Sequence, residues 1–292
     1  MYKLVAIDLD GTLLNSYGEV SDENKEAIKN AIQKGSEIVL ASGRMPSSVK
    51  NIATELGADK YIISGNGTIV YDMQKDEIIY DAFMAKEKAL EIIKICEENS
   101  IYYNVYTKNS ILAKNLNYNI LFYNNENSSK PLEKRTNINI VEDIYKYIQE
   151  SENLDILKIT ICDNNQIIFS SIIKKLKLVE NVDVLEVEHM SRKNIKQGTT
   201  EVPIEYYYTE VSTKDANKWT AIQFLMNKLN IQKEEVMAIG DNANDIEMVE
   251  NSGLGVAMGK SMLEANKIGD VFVKDNNSSG VAEAINKYIN YI

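Results

Sequence analysis

The sequence predicts an α/β fold, a doubly wound parallel sheet into which an α+β domain is inserted. Three observations carry this reading. Short apolar runs alternate with helical segments at both ends of the chain, several of those runs end in acidic or small residues, and the stretch between them loses the alternation. Residues 1–84 and 212–292 are therefore assigned to one core, and 85–211 to the insertion.

The elements follow in order. Residues 3–7 (KLVAI) suit a strand buried on both faces. Ser21 stands as an N-cap before DENKEAIKNAIQK, with acids in the first turn and Lys34-Gly35 closing the helix. SEIVLASGR repeats the pattern of an apolar run ending in small residues, SSVKNIATELG reads as a helix, and KYIISGNG reads as a strand. Right-handed crossovers place the carboxyl ends of such parallel strands on one edge. The insertion opens with helix AKEKALEIIKICEEN and strand IYYNVYT. A long Asn- and Tyr-rich segment follows, in which NNENSSKPLEKRTN reads as an exposed loop. Then come LDILKITICD, a helix around IFSSIIKKLKL, and candidate strands VDVLEVEHM and IEYYYTEV. The alternating rhythm returns with helix NKWTAIQFLMNKLN, strand VMAIGDNAND, helix DIEMVEN, strand GLGVAM, helix SMLEANKIG, strand DVFV and helix VAEAINKYIN.

Of 292 residues, 44% are hydrophobic and 26% charged, and the net charge of −11 offers no basic field to nucleic acid or an anionic membrane. A site that handles phosphate must then gather positive charge locally, from a metal, a lysine or helix N-termini. Cys96 and Cys162 match no metal spacing and are expected as reduced thiols of a cytoplasmic protein. No stretch has the apolar length of a signal sequence or a membrane span, so neither export nor insertion is expected.

Asp8 and Asp10 follow the first strand, and in an extended chain residues i and i+2 point to the same side. Both carboxylates are expected to face one crevice at the carboxyl edge of the sheet, where open α/β folds bind ligands. Asp241 ends a second strand, with Asn244 and Asp245 in the next turn. Carboxylates converging there would repel one another unless a cation lay among them, and oxygen ligands suit Mg²⁺. Taken singly, the acidic pair also reads as a turn or capping feature and GDNAND as a loop. What points to a site is the set: acids, SGR, a lysine and a second acidic cluster, all at strand ends.

DLDGT at 8–12, ASGR at 41–44, Lys218 opening a helix and GDNAND at 240–245 resemble, in order, the four motifs of the haloacid-dehalogenase superfamily of phosphatases. ISGNG at 63–67, GVAMG at 255–259 and the terminal SSGVAEAI resemble its Cof-type subfamily, and the insertion lies where that subfamily carries a class IIB α+β cap on a Rossmann-like core. The resemblance implies that Asp8 is the nucleophile and Asp10 the general acid, then base. Gly11 turns the backbone, Thr12 supports the loop, Ser42 and Gly43 meet the phosphoryl group at a helix N-terminus, and Asn244 lies near it. Lys218 neutralises charge. Mg²⁺ is held by Asp8, the backbone carbonyl of Asp10 and Asp241, with Asp245 in support.

The third motif departs from the usual Ser-Lys-Gly, reading Asn217-Lys218-Trp219, with Lys214 one turn upstream; the flanking register favours Lys218. Arg44 and Asn66 are read as substrate contacts, with a structural ion pair and a turn as their alternatives. Trp219 is assigned to the core, and His189 to an ordinary cap position. The tyrosines of IYYNVY and EYYYTEV either line a sugar-binding surface or pack as alternating strand residues. The expected function is Mg²⁺-dependent hydrolysis of small phosphomonoesters, sugar phosphates above all, through an aspartyl-phosphate. The partner is a small phosphorylated metabolite, with no nucleic acid or membrane, and the chain is expected as a monomer or weak homodimer. A phosphomutase or other phosphotransferase of the superfamily and a non-catalytic phosphate-ligand sensor are the alternatives. The large insertion argues against a third, a receiver-like signalling domain.

Overall fold

The computed structural model describes residues 2–132, 135–185, 190–197 and 200–290. In chain order the first elements are β1 (Leu4–Ile7), α1 (Asp22–Gln33), β2 (Glu37–Ala41), α2 (Pro46–Leu56), β3 (Tyr61–Ser64), β4 (Ile69–Asp72) and β5 (Glu77–Asp81). Next come α3 (Lys86–Glu98), β6 (Tyr102–Thr107), β7 (Ile111–Ala113), α4 (Tyr118–Ser129), β8 (Ile138–Ile140), α5 (Ile144–Glu150), β9 (Ile156–Asp163), α6 (Gln166–Leu176), β10 (Val182–Val184), β11 (Ser191–Gln197) and β12 (Thr200–Thr213). The chain ends with α7 (Lys218–Leu229), β13 (Val236–Gly240), α8 (Ile246–Asn251), β14 (Leu254–Ala257), α9 (Met262–Ala265), β15 (Val271–Phe272) and α10 (Gly280–Ile285). Two compact units result, one of residues 1–81 with 216–292 and one of 82–215, against sequence-based joints at 84/85 and 211/212.

The first unit holds an eight-stranded sheet in the order β15-β14-β13-β1-β2-β3-β4-β5. From β15 to β3 every pairing is parallel, as the alternation predicts. Strands β4 and β5 add to one edge antiparallel, a pair that the sequence reading did not resolve. Strand β1 lies between β2 and β13, so the strand order reverses beside it, the place where doubly wound sheets open a crevice. All four β1 residues are fully buried, which is why this strand reads as a continuous apolar run. Helix α1 begins as expected: Ser21 Oγ accepts the Asn24 N–H at 3.3 Å, and Ala27, Ile28 and Ala31 form its buried stripe. Trp219 lies in the apolar cluster of this unit with Ile222 and Leu225, in agreement with its core assignment.

The second unit is built on a sheet of order β10-β12-β9-β6-β7-β8, with β11 pairing β12. Its strands are antiparallel except for β7 and β8. One face is apolar: Tyr103, Val105, Ile159, Ile161 and Val211 pack against α3, α5 and α6 through residues such as Ile92, Ile148 and Ile172. On the tyrosine-rich strands, Tyr103 and Tyr207 join this core, while Tyr206 contacts Tyr118 and Tyr208 at ring-centroid distances of 5.4 and 6.4 Å.

One expectation is corrected in this unit. Residues 124–129 of the supposed loop complete helix α4. Their asparagines have poor helix propensity, but tertiary bonds override it: Asn127 donates to the Thr136 carbonyl at 2.7 Å and accepts the Thr136 N–H at 2.8 Å. Of the candidate strand VDVLEVEHM, residues 182–184 form β10, while residues 186–189, including His189, lie outside the described residues. The segment after it forms the β11–β12 hairpin. Both cysteines are buried, and neither forms a disulfide. Among the described residues no helix is long and apolar enough to cross a membrane.

Asn24 ties the first unit together. It is fully buried, its amide donates to the Leu13 carbonyl at 3.4 Å and its Oδ1 accepts the Ala282 N–H at 2.8 Å, joining the β1 loop, α1 and α10. Asn24→Ala strands both backbone groups and is expected to cost about 2 kcal/mol, read from the urea midpoint.

Candidate active site

The site grows from the carboxyl ends of β1 and β13. Asp8 follows β1, and its N–H donates to the Ile239 carbonyl at 3.0 Å, so the strand pairing itself sets the position of this residue. Beyond it the chain coils: Leu13 N–H returns to the Asp8 carbonyl and Leu14 N–H to the Leu9 carbonyl, at 3.2 and 2.8 Å. Gly11 is needed in that coil, with φ of +89° and a position where a Cβ would strike the Asp241 carboxylate. Thr12, fully buried, donates through Oγ1 to Asp241 Oδ1 at 2.8 Å.

After β13 the chain makes a single 3₁₀ turn that folds Asp245 back beneath its own loop. Its Oδ2 accepts the N–H groups of Asp241 and Asn242 at 3.0 and 3.1 Å, and the carboxyl is fully buried. Lys218 is the first residue of α7, capped by Asn217, whose side chain accepts the Thr220 N–H at 2.9 Å. Its Nζ donates to Asp8 Oδ1 at 2.5 Å and to Asp245 Oδ1 at 2.6 Å. Lys214, the alternative, is exposed, and its backbone N–H bonds the Asn181 carbonyl at 3.1 Å.

Asp8, Asp241 and Asp245 each offer an oxygen within 4.8 Å of the others. Three carboxylates face one ammonium, leaving a surplus of two negative charges when all are ionised. Burial first, and then the Asp245 carboxylate, push the Asp8 pKa well above its ordinary value, and Lys218 only partly offsets this. The same two causes push Asp241 up to about 7, against the lowering effects of the Thr12 hydrogen bond and Lys218. Burial would lower the Lys218 pKa, but Asp245 and Asp8 outweigh it and hold the amine charged.

Asp10 stands apart from Asp8, Asp241 and Asp245. Its carboxylate lies 62% exposed, outside the three-acid cluster, and forms a two-pronged pair with Arg44, Nε to Oδ2 and Nη2 to Oδ1 both at 2.7 Å. The i, i+2 argument assumed an extended chain, whereas β1 ends at Ile7 and Asp10 lies in the coil that follows. Arg44 thus has the ion pair that was its alternative reading, and Nη1 also donates to Ser48 Oγ at 3.3 Å, a contact the sequence did not signal.

Ser42, at the end of β2, is buried, and its Oγ accepts the Arg44 N–H at 3.2 Å. Gly43 leaves room for the Asn66 amide, since a Cβ there would lie 2.6 Å from Asn66 Oδ1. Asn66 serves its turn, in the left-handed region at φ 59°, and also accepts a bond from Asn244 Nδ2 at 3.0 Å. The structure therefore gathers Asp8, Thr12, Lys218, Asp241 and Asp245 in one bonded cluster, Ser42, Gly43, Arg44, Asn66 and Asn244 in adjoining loops, and Asp10 with Arg44.

The profile of haloacid dehalogenase-like hydrolases matches residues 5–285. Phosphatase YwpJ of Bacillus subtilis (strain 168) is 30% identical over 292 residues, covering 96% of this chain and 97% of the relative. The 5-amino-6-(5-phospho-D-ribitylamino)uracil phosphatase YcsE of the same strain is 28% identical, covering 98% and 96%. A solved haloacid dehalogenase-like hydrolase from B. subtilis superimposes with a TM-score of 0.81 at 28% identity, covering 98% of this chain and 99% of that one. The chain belongs to the haloacid dehalogenase-like hydrolase family. Within it the chain is a Cof-type phosphatase.

Replacing Lys218 by Met leaves three carboxylates without their cation. Lys218→Met is expected to lose about 3 kcal/mol or more in metal-free buffer at pH 8. The loss should be smaller at pH 5, because Asp8 and Asp241, whose folded pKa values are already raised, take up protons there. Urea denaturation at the two pH values measures the difference.

Proposed function

We propose that this phosphatase is Mg²⁺-dependent and hydrolyses small phosphomonoesters, sugar phosphates or related phosphorylated metabolites, through an aspartyl-phosphate on Asp8. The surplus of two negative charges on Asp8, Asp241 and Asp245 against Lys218 carries the reading. The donor set is hard and all oxygen, two of its carboxylates have raised pKa values, and a divalent cation relieves both, so the residues fit Mg²⁺. Asp8, Asp241 and the backbone carbonyl of Asp10 would hold the ion. Asp245 supports them, because Lys218 and two backbone N–H groups already engage its oxygens. When bound, Mg²⁺ supplies positive charge to the phosphoryl oxygens and the carboxylates around it.

Asp8 attacks phosphorus with a carboxylate oxygen while Lys218 fixes its Oδ1. As the ester P–O bond breaks, Asp10, having left Arg44 and taken a proton from solvent on substrate binding, gives that proton to the departing alkoxide. Asp10 then takes a proton from water, which attacks the phosphorus and releases phosphate and the Asp8 carboxylate. Arg44 holds Asp10 at the exposed side of the cluster before substrate arrives. Ser42 and Asn244 contact the phosphoryl group, and the Lys218 ammonium balances charge through both steps. The second unit is the inserted cap domain in this reading. The substrate class is supported by the relative named for a phospho-D-ribityl compound.

Hydrolysis of an aryl phosphate by the wild type is expected to need Mg²⁺ and to stop with chelator. Asp8→Asn should fold and lose at least about 10³-fold in kcat. Persistent turnover by a clean Asp8→Asn preparation would rule out the covalent route.

A second readout needs no activity. Without metal, Asp8 and Asp241 retain protons in the folded state that the unfolded chain releases from about pH 4 upward. Stability therefore falls as pH rises toward 7, where Asp241 has its raised pKa of about 7. Mg²⁺ is expected to raise Tm more at pH 8 than at pH 5; equal shifts in calorimetric scans would contradict its placement among these acids.

A further inference from the structure

The turn Gly65–Asn66–Gly67 between β3 and β4 reaches three segments of the site: the SGR loop, the start of α7 and the loop that carries Asn244. Gly65 N–H donates to the Arg44 carbonyl and Asn66 N–H to the Ser42 carbonyl, both at 3.0 Å, which clamps the turn onto the SGR loop. Gly67, at φ +100°, lies so close to the start of α7 that a Cβ would collide with the Asn217 carbonyl and lie 2.8 Å from Lys218 N. The Asn66 side chain passes over Gly43 and ends on Asn244.

We propose that Asn66 is a positioning residue that acts through Asn244, fixing which end of the Asn244 amide faces the phosphoryl group. The inference rests on the phosphatase reading, in which Asn244 lies beside that group. A primary amide has a donor end and an acceptor end of nearly equal shape, and only the donor end suits an anion. Asn66 presents Oδ1, an acceptor, to Asn244 Nδ2 at 3.0 Å. That bond commits one N–H of Asn244 to Asn66 and leaves the other for a phosphoryl oxygen. A flipped Asn244 would set oxygen against oxygen at Asn66 and turn its own carbonyl toward the anion, so Asn66 disfavours the flip on both counts. The left-handed backbone at φ 59° and ψ 31° directs the amide there, and asparagine tolerates it better than most residues.

A double-mutant cycle tests this with aryl phosphate hydrolysis in Mg²⁺. Asn66→Gly keeps the left-handed turn and deletes the amide, and Asn244→Ala removes its partner. Each single variant is expected to lower kcat/KM about tenfold, with the double variant no worse than Asn244→Ala alone. Additive losses would overturn the proposal and leave the phosphatase reading intact, whereas a wild type without metal-dependent hydrolysis would overturn both. Asn66→Asp retains an acceptor oxygen and tolerates the same backbone, so it should hold kcat while its added charge raises KM. A kcat loss in Asn66→Asp as large as in Asn66→Gly would overturn the proposal. Circular dichroism melts accompany each variant, and loss of the fold in Asn66→Gly would reduce the turn to scaffold and overturn it too.

Discussion

The Lys218 ammonium, held at 2.5 Å from Asp8 and 2.6 Å from Asp245, is the interaction around which the catalytic unit is arranged. Burying three carboxylates in a small volume is costly, and one lysine offsets only part of that cost. The surroundings follow from this constraint. Parallel pairing of β1 with β13 brings Asp8 and Asp241 to neighbouring strand ends, and the fold-back of Asp245 supplies its Oδ2 with two backbone donors. Gly240 has no side chain because a Cβ there would lie 2.5 Å from Asp245 Cβ. Close approach of backbone to carboxylate is what the glycines of both acidic motifs permit.

Much of this was legible in the sequence, for physical reasons that differ by element. β1, β3 and β13 are buried on both faces, so they read as uninterrupted apolar runs, and α1 announces itself through Ser21 and Gly35. Helix α4 was hidden because its asparagines are held by partners remote in sequence, Asn119 by Asn104 and Asn127 by Thr136. Lys214 and Lys218 differ by one helical turn; the flanking register favoured Lys218, and its two bonds place it in the cluster. The Arg44 partner of Asp10 was not legible, because the pair joins two loops 34 residues apart.

The sheet of the second unit has two chemically distinct faces. Opposite its apolar face, β6, β9 and β12 pair Asn104 with Thr160, Thr160 with Glu210 and Tyr106 with Lys158. Lys158 and Glu210 meet at 2.6 Å, and Asn119 of α4 bonds Asn104 and Tyr106. A one-residue slip between these strands would bury the charges among the isoleucines of the other face, so the polar pairings oppose misregister.

The distance along the chain between the members of the charged cluster also bears on how the protein is made. Asp8 and Lys218 stand 210 residues apart, and Thr12 and Asp241 are separated by 229. A nascent chain that has left the ribosome only through β12 carries Asp8 without Lys218 or the second pair of acids. It also carries β1 with one edge waiting for β13, a strand not yet synthesised. The charged cluster and the closed sheet thus arrive together, late in translation, while β1 with its open edge remains in need of protection.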